Sequence, residues 1–353
     1  MNKLLVICGP TATGKTKLAL YLAKALTSDK KGSGLRGELV SADSRQIYRG
    51  LNIGTGKDIP KSAKFKLPAG ERGLKLGGYY QIGKSKIWGY DLMDPKQEFS
   101  VAKYVEITDE IISDIWSRNK LPIIVGGTGL YIKAIVDGIP TISIPKNRRL
   151  RKSLERKKRT ELFEMLAQIG PMKAASMNYS DKRNPRRLVR AIEVAQWKLK
   201  NKLIEDDSRE RFSTLIIGLK AEKRILSKKI NKRIKTRVEK GLEKEIGGLL
   251  KDGVTWKHQS MDSLGYKQWR AYFEKHSAQE ASVLEKEKDR NEVIKKWERE
   301  ENKYSKKQMT WFRRDKRIKW FDINKPEWQE SVVKLAKEWY KNEEVLNNNA
   351  KKD

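Results

Sequence analysis

Short apolar runs, each closed by glycine or a small polar residue, recur along the chain: LLVIC at 4–8, ELVSA at 38–42, LPIIV at 121–125 and TLIIG at 214–218. Runs of this length and boundary predict buried strands. Between them the period changes. In VAKYVEITDEIISDIW, positions Val101, Tyr104, Val105, Thr108, Ile111, Ile112 and Ile115 fall on one face at helical spacing. Strands alternating with helices predict an α/β fold, a parallel sheet with helices on both faces. Ligands of such sheets bind beyond the carboxyl ends of the strands. Three distinctive loops stand there: GPTATGKT, SADSRQIY and GGTGLYIKA.

Residues 58–88, rich in glycine and proline, read as an excursion with a hairpin around GGYYQIGKSKIW. At 146–160, KNRRLRKSLERKKRT carries nine basic residues and one acid in a helical, weakly amphipathic pattern. No strand signal follows until about 205. The expected organisation is therefore a core of 1–136 and 206–330, an all-helical insertion of 137–205, and a C-terminal helix with a frayed tail at 331–353. Two more helical patterns cover 221–251 and 279–311. The chain has no internal repeat.

Charge sharpens the picture. Lys and Arg number 78 against 45 Asp and Glu, a formal net charge of +33 over 353 residues. So large a charge repels itself unless a polyanion neutralises it, and nucleic acid is the first candidate, ahead of an anionic membrane surface. The one cysteine, Cys8, excludes an intrachain disulfide, suits a reducing cytoplasm and sits in the first strand as a small buried hydrophobe. His258 and His276 lack zinc-type spacing and are expected at the surface, so histidine catalysis and a structural zinc are not expected. The N-terminal apolar run is too short for a signal peptide or a membrane span.

GPTATGKT fits GxxxxGK-S/T, with Gly9, Gly14, Lys15 and Thr16 at the fixed places and Pro10, Thr11, Ala12 and Thr13 between them. Its glycines let successive N–H groups point at one anion. Lys15 adds a point charge, the Thr16 hydroxyl can ligate magnesium, and the following helix offers its positive end to the same anion. The loop therefore predicts a phosphate or diphosphate ligand with Mg2+. A nucleotide-hydrolysing or kinase site also needs an Asp at the end of a second apolar strand, and IIVGG ends in glycines instead. The best-placed acid is Asp43. On position alone it is a magnesium orienter, a general base, or a cap for a following helix.

GPTATGKT, LVSADSRQIYRGLNIGTGK, FSVAKY, LPIIVGGTGLYIKA, NPRRLVRAIEV, LGYKQ and KKQMTWFRRD…IKWFD occur in this order. The set resembles the tRNA dimethylallyltransferases, or tRNA isopentenyltransferases, over about residues 3–322, in the bacterial form without the C-terminal zinc finger. The resemblance implies a P-loop NTPase-like core and transfer of a dimethylallyl group. The donor would be dimethylallyl diphosphate and the acceptor the exocyclic amine of the adenosine immediately 3′ of the tRNA anticodon. The loop from Gly9 to Thr16 would then hold the diphosphate of the prenyl donor, with Arg237 contacting the same group. Asp43 would be the general base; Ser44, Arg45 and Gln46 would meet the target nucleotide. Arg187 and Arg190, three apart on one helix face, would contact the anticodon stem-loop, with Arg186 beside them. Trp311 is expected to pack in the core.

Some positions depart from the family pattern. Asn184 and Arg186 stand where Asp and Gln are usual, Gly89 and Tyr90 where histidines are common, and 58–88 is longer than the usual connection. Competing readings are a prenyltransferase acting on a free adenine nucleotide, a P-loop small-molecule kinase and a plain RNA-binding protein. A cytoplasmic monomer without membrane contact is expected.

Overall fold

The computed structural model describes residues 2–26, 37–57, 59–60, 62–68, 77–201, 212–276 and 282–349. The chain divides into two compact units, 1–136 with 210–353 and 137–209.

In the larger unit, β1 (Lys3–Cys8) leads through the GPTATGKT loop into α1 (Lys15–Ala25), and β2 (Gly37–Ala42) ends at Asp43. Then come β3 (Lys64–Lys66), β4 (Tyr79–Ile82), β5 (Ser85–Trp88), α2 (Val101–Ser117), β6 (Leu121–Gly126) and α3 (Gly129–Val136). The second unit holds α4 (Arg148–Leu154), α5 (Arg159–Ile169), α6 (Pro171–Ser176), α7 (Tyr179–Lys182) and α8 (Pro185–Lys200), with no strand among its described residues. The chain returns through β7 (Ser213–Lys220), α9 (Lys223–Glu239), α10 (Leu242–Lys251), α11 (Arg270–His276), α12 (Val283–Phe312), β8 (Lys319–Asp322) and α13 (Trp328–Asn349).

The eight strands form one sheet in the order β3-β4-β5-β2-β6-β1-β7-β8. From β5 to β8 every neighbouring pair is parallel, whereas β3, β4 and β5 pair antiparallel. The sheet is thus mixed, not wholly parallel. The expected hairpin forms, and its two-residue turn between Ile82 and Ser85 reverses the chain too tightly for a parallel pairing.

Strand alternation supplies two cores. Leu4, Val6 and Cys8 face one side with Tyr104, Ile111, Ile135, Ile230, Ile246 and Trp297. Leu5 and Ile7 face the other, with Leu18 and Leu22 of α1 and Val332 and Ala336 of α13. Each fully buried aliphatic side chain contributes about 1.5–3 kcal/mol, so neighbouring positions on β1 tie the sheet to both helical layers. The second unit has its own core of Leu154, Leu162, Leu166, Met177, Leu188 and Ile192.

Four expectations change. The 221–251 pattern is two helices, because Gly241 adopts φ 92 and ends α9, a left-handed conformation that glycine tolerates. The 146–160 pattern is broken between α4 and α5 at residues 155–158. The backbone stays helical to Asn349, past the start of the expected fraying; 350–353 lie outside the described residues, as do parts of 58–88, the 202–211 boundary and the first residues of the 279–311 pattern. His276 is not at the surface: its side chain is 6% exposed, with Nε2 3.0 Å from Asp289.

Candidate active site

The loop between β1 and α1 closes on itself. Ala12 sits at φ 64 and Gly14, which precedes α1, at φ 82. The Thr13 hydroxyl donates to the Pro10 carbonyl at 2.8 Å, and Lys15 Nζ donates to the same oxygen at 2.7 Å. Burial, with the Arg233 guanidinium nearby, pulls the Lys15 ammonium down to about 8. The first turn of α1 contains no acid, so the helix itself sets no negative charge against an anion there.

Beside it, the turn after β2 presents Asp43. No helix follows this residue, so the helix-cap reading falls: Asp43 Oδ1 instead accepts the Arg45 amide at 2.9 Å, closing a local turn. The turn is tied to the β6 loop through Ser44 N–H to Thr128 Oγ1 at 3.1 Å and Thr128 N–H to the Ala42 carbonyl at 3.1 Å. Gln46 is used inside the site. Its Oε1 accepts from Ser41 Oγ at 3.2 Å, and its Nε2 donates to the Thr55 and Gly56 carbonyls at 3.3 and 3.0 Å. Arg45 reaches the Gln259 carbonyl at 2.7 Å.

α9 brings two guanidiniums over the loop. Arg237, 6% exposed, donates to the Gly54 carbonyl at 3.0 Å and lies 5.8 Å from the Trp297 ring centre. Arg233, one turn earlier, donates to the Gly56 carbonyl at 3.1 Å and reaches Thr11 Oγ1 at 3.4 Å. A Cβ at residue 56 would strike both guanidiniums, and the backbone there is at φ 64, so glycine is required on both counts.

α12 forms the roof. Glu301, Ser305 and Gln308 are buried polar residues on one stripe of this helix. Gln308 Oε1 accepts the Thr11 amide at 2.9 Å while its Nε2 donates to the Gly127 carbonyl at 2.9 Å. Glu301 accepts from Trp297 Nε1 at 3.1 Å. Burial and the charges of Asp43 and Glu301 push the Tyr304 phenol up. One turn beyond Gln308, Trp311 is 37% exposed and lies against Gly129; the core residue at this end is Phe312, which corrects the packing role expected for Trp311.

These elements enclose a cavity of about 1070 Å³. Its lining includes Thr11, Lys15 and Thr16 of the loop, the turn from Asp43 to Gln46, and Arg233, Arg237, Glu301, Tyr304 and Gln308. The sequence reading found the loop, Asp43 and Arg237. It missed Arg233, Glu301, Tyr304 and Gln308. The signal for Arg233 was its spacing of four from Arg237, which puts both on one helix face.

In the second unit the arginines of α8 differ in their surroundings. Arg190 turns inward to Glu193 at 2.8 Å and to the Thr141 and Ile144 carbonyls at 2.8 and 2.9 Å. Glu193 also takes Arg151 at 2.7 Å and the Asn147 amide at 2.7 Å. Burial alone would push its carboxyl up, but these donors outweigh it and hold it at about 2. Arg187 is half exposed and paired with Asp181; Arg186 is exposed.

A phosphate loop between β1 and α1, with Arg233, Arg237 and Asp43 lining the same cavity, marks a P-loop-like α/β core. The sequence profile of the IPP transferase family matches residues 83–315. A tRNA dimethylallyltransferase of Halothermothrix orenii is 34% identical over 344 residues, covering 95% of this chain and 92% of the relative. Another, of Syntrophomonas wolfei, is 33% identical over 341 residues, with 95% and 96% covered. The crystal structure of a tRNA isopentenylpyrophosphate transferase from Bacillus halodurans superposes with TM-score 0.64 at 28% identity, covering 99% of this chain and all of that one. A eukaryotic dimethylallyltransferase acting on tRNA shares the fold, with TM-score 0.67 at 21% identity. The chain belongs to the IPP transferase family. Among its described residues no helix is long and apolar enough to cross a membrane.

Proposed function

We propose that the protein transfers a dimethylallyl group from dimethylallyl diphosphate to the exocyclic amine of the adenosine immediately 3′ of a tRNA anticodon. The observation that carries the reading is that Asp43 lines one cavity together with Lys15, Arg233 and Arg237. When the allylic C–O bond breaks, negative charge builds on the departing diphosphate. The loop amides, Lys15 and the two guanidiniums are fixed donors aimed at that charge and lower the barrier. The adenine nitrogen bonds to the allylic carbon and gives its proton to the Asp43 carboxylate. The cavity, about 1070 Å³, lies at the upper end of the usual span for a ligand site, about 300–1,000 Å³, and it opens outward, which suits a donor together with a nucleotide swung out of its stack.

Magnesium fits as a guest of the ligand. Thr16 lines the cavity, and no cluster of three His, Cys, Asp or Glu able to hold a metal occurs among the described residues. Thr16 and the diphosphate oxygens would hold it, with water completing the shell, and it would neutralise charge on the leaving group. The exposed Arg186 and Arg187 and the basic residues of the second unit are read as contacts for the anticodon stem-loop. The lone buried thiol of Cys8 suits a reducing cytoplasm.

The test is incubation with radiolabelled dimethylallyl diphosphate and tRNA, AMP or no acceptor, alongside an ATP-consumption control. Label transfer to tRNA alone supports the proposal. Transfer to AMP selects the free-nucleotide reading, and ATP consumption without transfer selects the kinase.

A further inference from the structure

Glu245 lies on α10 and does not line the cavity, yet it collects more hydrogen bonds than any site residue described above. Its Oε2 accepts the amides of Asn52 and Ile53 at 3.0 and 2.8 Å. Its Oε1 accepts those of Ile53 and Gly54 at 3.1 and 3.3 Å and the Tyr266 hydroxyl at 2.6 Å. Three successive backbone N–H groups thus converge on one carboxylate. A neutral side chain could not satisfy them, because an amide would offer a donor where an acceptor is needed.

The carbonyl side of the same turn faces the active site. Gly54 O receives Arg237, Thr55 O and Gly56 O receive Gln46, and Gly56 O also receives Arg233. Each peptide plane is rigid, so holding the Ile53 and Gly54 amides also fixes the Asn52 and Ile53 carbonyls; these accept the Lys57 and Gly56 amides at 3.1 and 3.0 Å, and those amides share planes with the Gly56 and Thr55 carbonyls. We infer that Glu245 is a positioning residue for the diphosphate: it grips the 52–54 turn, and the turn aims Arg233 and Arg237 at the phosphate loop. Tyr266, fully buried, holds the carboxylate from behind. The carboxylate itself touches neither donor nor acceptor. Its effect therefore falls on the leaving-group step and leaves tRNA contact alone.

This inference rests on the reading that the loop binds diphosphate, and the experiment separates the two. Inorganic diphosphate is titrated calorimetrically into the full-length wild type, Glu245→Gln, Arg237→Met and the double variant, with tRNA filter binding on each. Tyr266→Phe, which removes one hydroxyl and leaves the amide contacts, serves if Glu245→Gln does not fold. Glu245→Gln should weaken diphosphate about tenfold or more and leave the tRNA Kd within about twofold. The double variant should lose clearly less than the sum of the two single losses, because Glu245 acts in part through Arg237 and residues sharing contacts are non-additive. Additive losses, or parallel losses for tRNA and diphosphate, would mark Glu245 as a fold residue only and overturn the inference. Wild-type affinity in a folded Glu245→Gln, or in Tyr266→Phe where that variant stands in, would overturn it as well. A wild type that does not bind diphosphate removes the functional reading and the inference with it.

Discussion

Gln308 and Thr11, 297 positions apart in the chain, meet at 2.9 Å, the Thr11 amide donating to the Gln308 side-chain oxygen. Gln308 Nε2 in turn donates to the Gly127 carbonyl at 2.9 Å, so one side chain of α12 joins the phosphate loop to the end of β6. Gln308→Leu keeps the bulk and strands two backbone groups, a loss of about 1–3 kcal/mol for each buried one left unsatisfied. A lower melting temperature and a raised KM for the prenyl donor are expected, with tRNA affinity unchanged. Thermal melts and donor titrations at saturating tRNA measure both.

Asp43→Ala removes the proposed proton acceptor. Turnover should fall by roughly 10²–10⁴, the range for a lost general base, while the Kd values for donor and tRNA move little. Single-turnover transfer separates the two effects. Turnover at the wild-type rate would leave Asp43 only its local turn with Arg45.

Lys15 gives a pH signature. Its pKa falls from the ordinary 10.5 to about 8 in the folded protein. The charged form binds diphosphate, so kcat/KM for the donor should decline as pH rises through about 8, and Lys15→Ala should flatten that limb. Stability runs the other way. Between about 8 and 10.5 the unfolded chain holds the proton more tightly, so this residue's contribution to stability increases with pH there. A donor profile level across that window in the wild type would contradict the assignment.

Glu38, on β2 and 1% exposed, receives Arg118 at 2.6 Å, Lys120 at 2.5 Å and Trp88 Nε1 at 2.9 Å. Burial alone would raise its carboxyl, but these donors outweigh it and bring it to about 2 from 4.5. Its stabilisation is therefore complete above about 4.5 and lost as pH falls toward 2. Glu38→Gln lacks this titration, so at matched starting stability its acid unfolding, followed by circular dichroism, should shift to lower pH than that of the wild type.

Arg156, Lys157 and Lys158 are exposed in the turn between α4 and α5, and no ion pair of theirs competes with RNA among the contacts described above. Neutralising all three should flatten the dependence of log K on log salt by about 0.7–0.9 for each lost phosphate contact. Arg190→Ala should act differently: it strips a donor from buried Glu193 and lowers the melting temperature of the protein. An unchanged salt slope in the triple variant would make that turn a solvated face.

How much of this was legible in the sequence depends on how local each feature is. β1, β2, β6 and β7 could be read because each is a continuous apolar run, and the β4–β5 hairpin because Gly83 marks its turn. The three-residue β3 has no such signature. The break at Gly241 was lost because leucine and isoleucine continue at helical spacing on both sides of it. The phosphate loop and Asp43 are contiguous motifs. Gln308, Glu301 and Tyr304 become site residues only when α12 crosses the loop, a tertiary event that leaves no local pattern. Arg190, an RNA contact by the resemblance, is also held by a buried glutamate three residues on, a pairing that basic spacing on a helix does not reveal.

The state of Cys8 reaches beyond the fold. The chain's only thiol is fully buried on β1, and burial pushes it up to about 12. Thiolate is the reactive form, so at neutral pH this sulfur is inert toward alkylating reagents. For labelling chemistry the folded protein is equivalent to a cysteine-free one. A cysteine introduced at an open position of the second unit, such as Met172 (85% exposed) or Tyr179 (73% exposed), would be the only thiol to take a maleimide dye. A single fluorophore can therefore follow the arrival and departure of RNA on an otherwise unaltered native sequence.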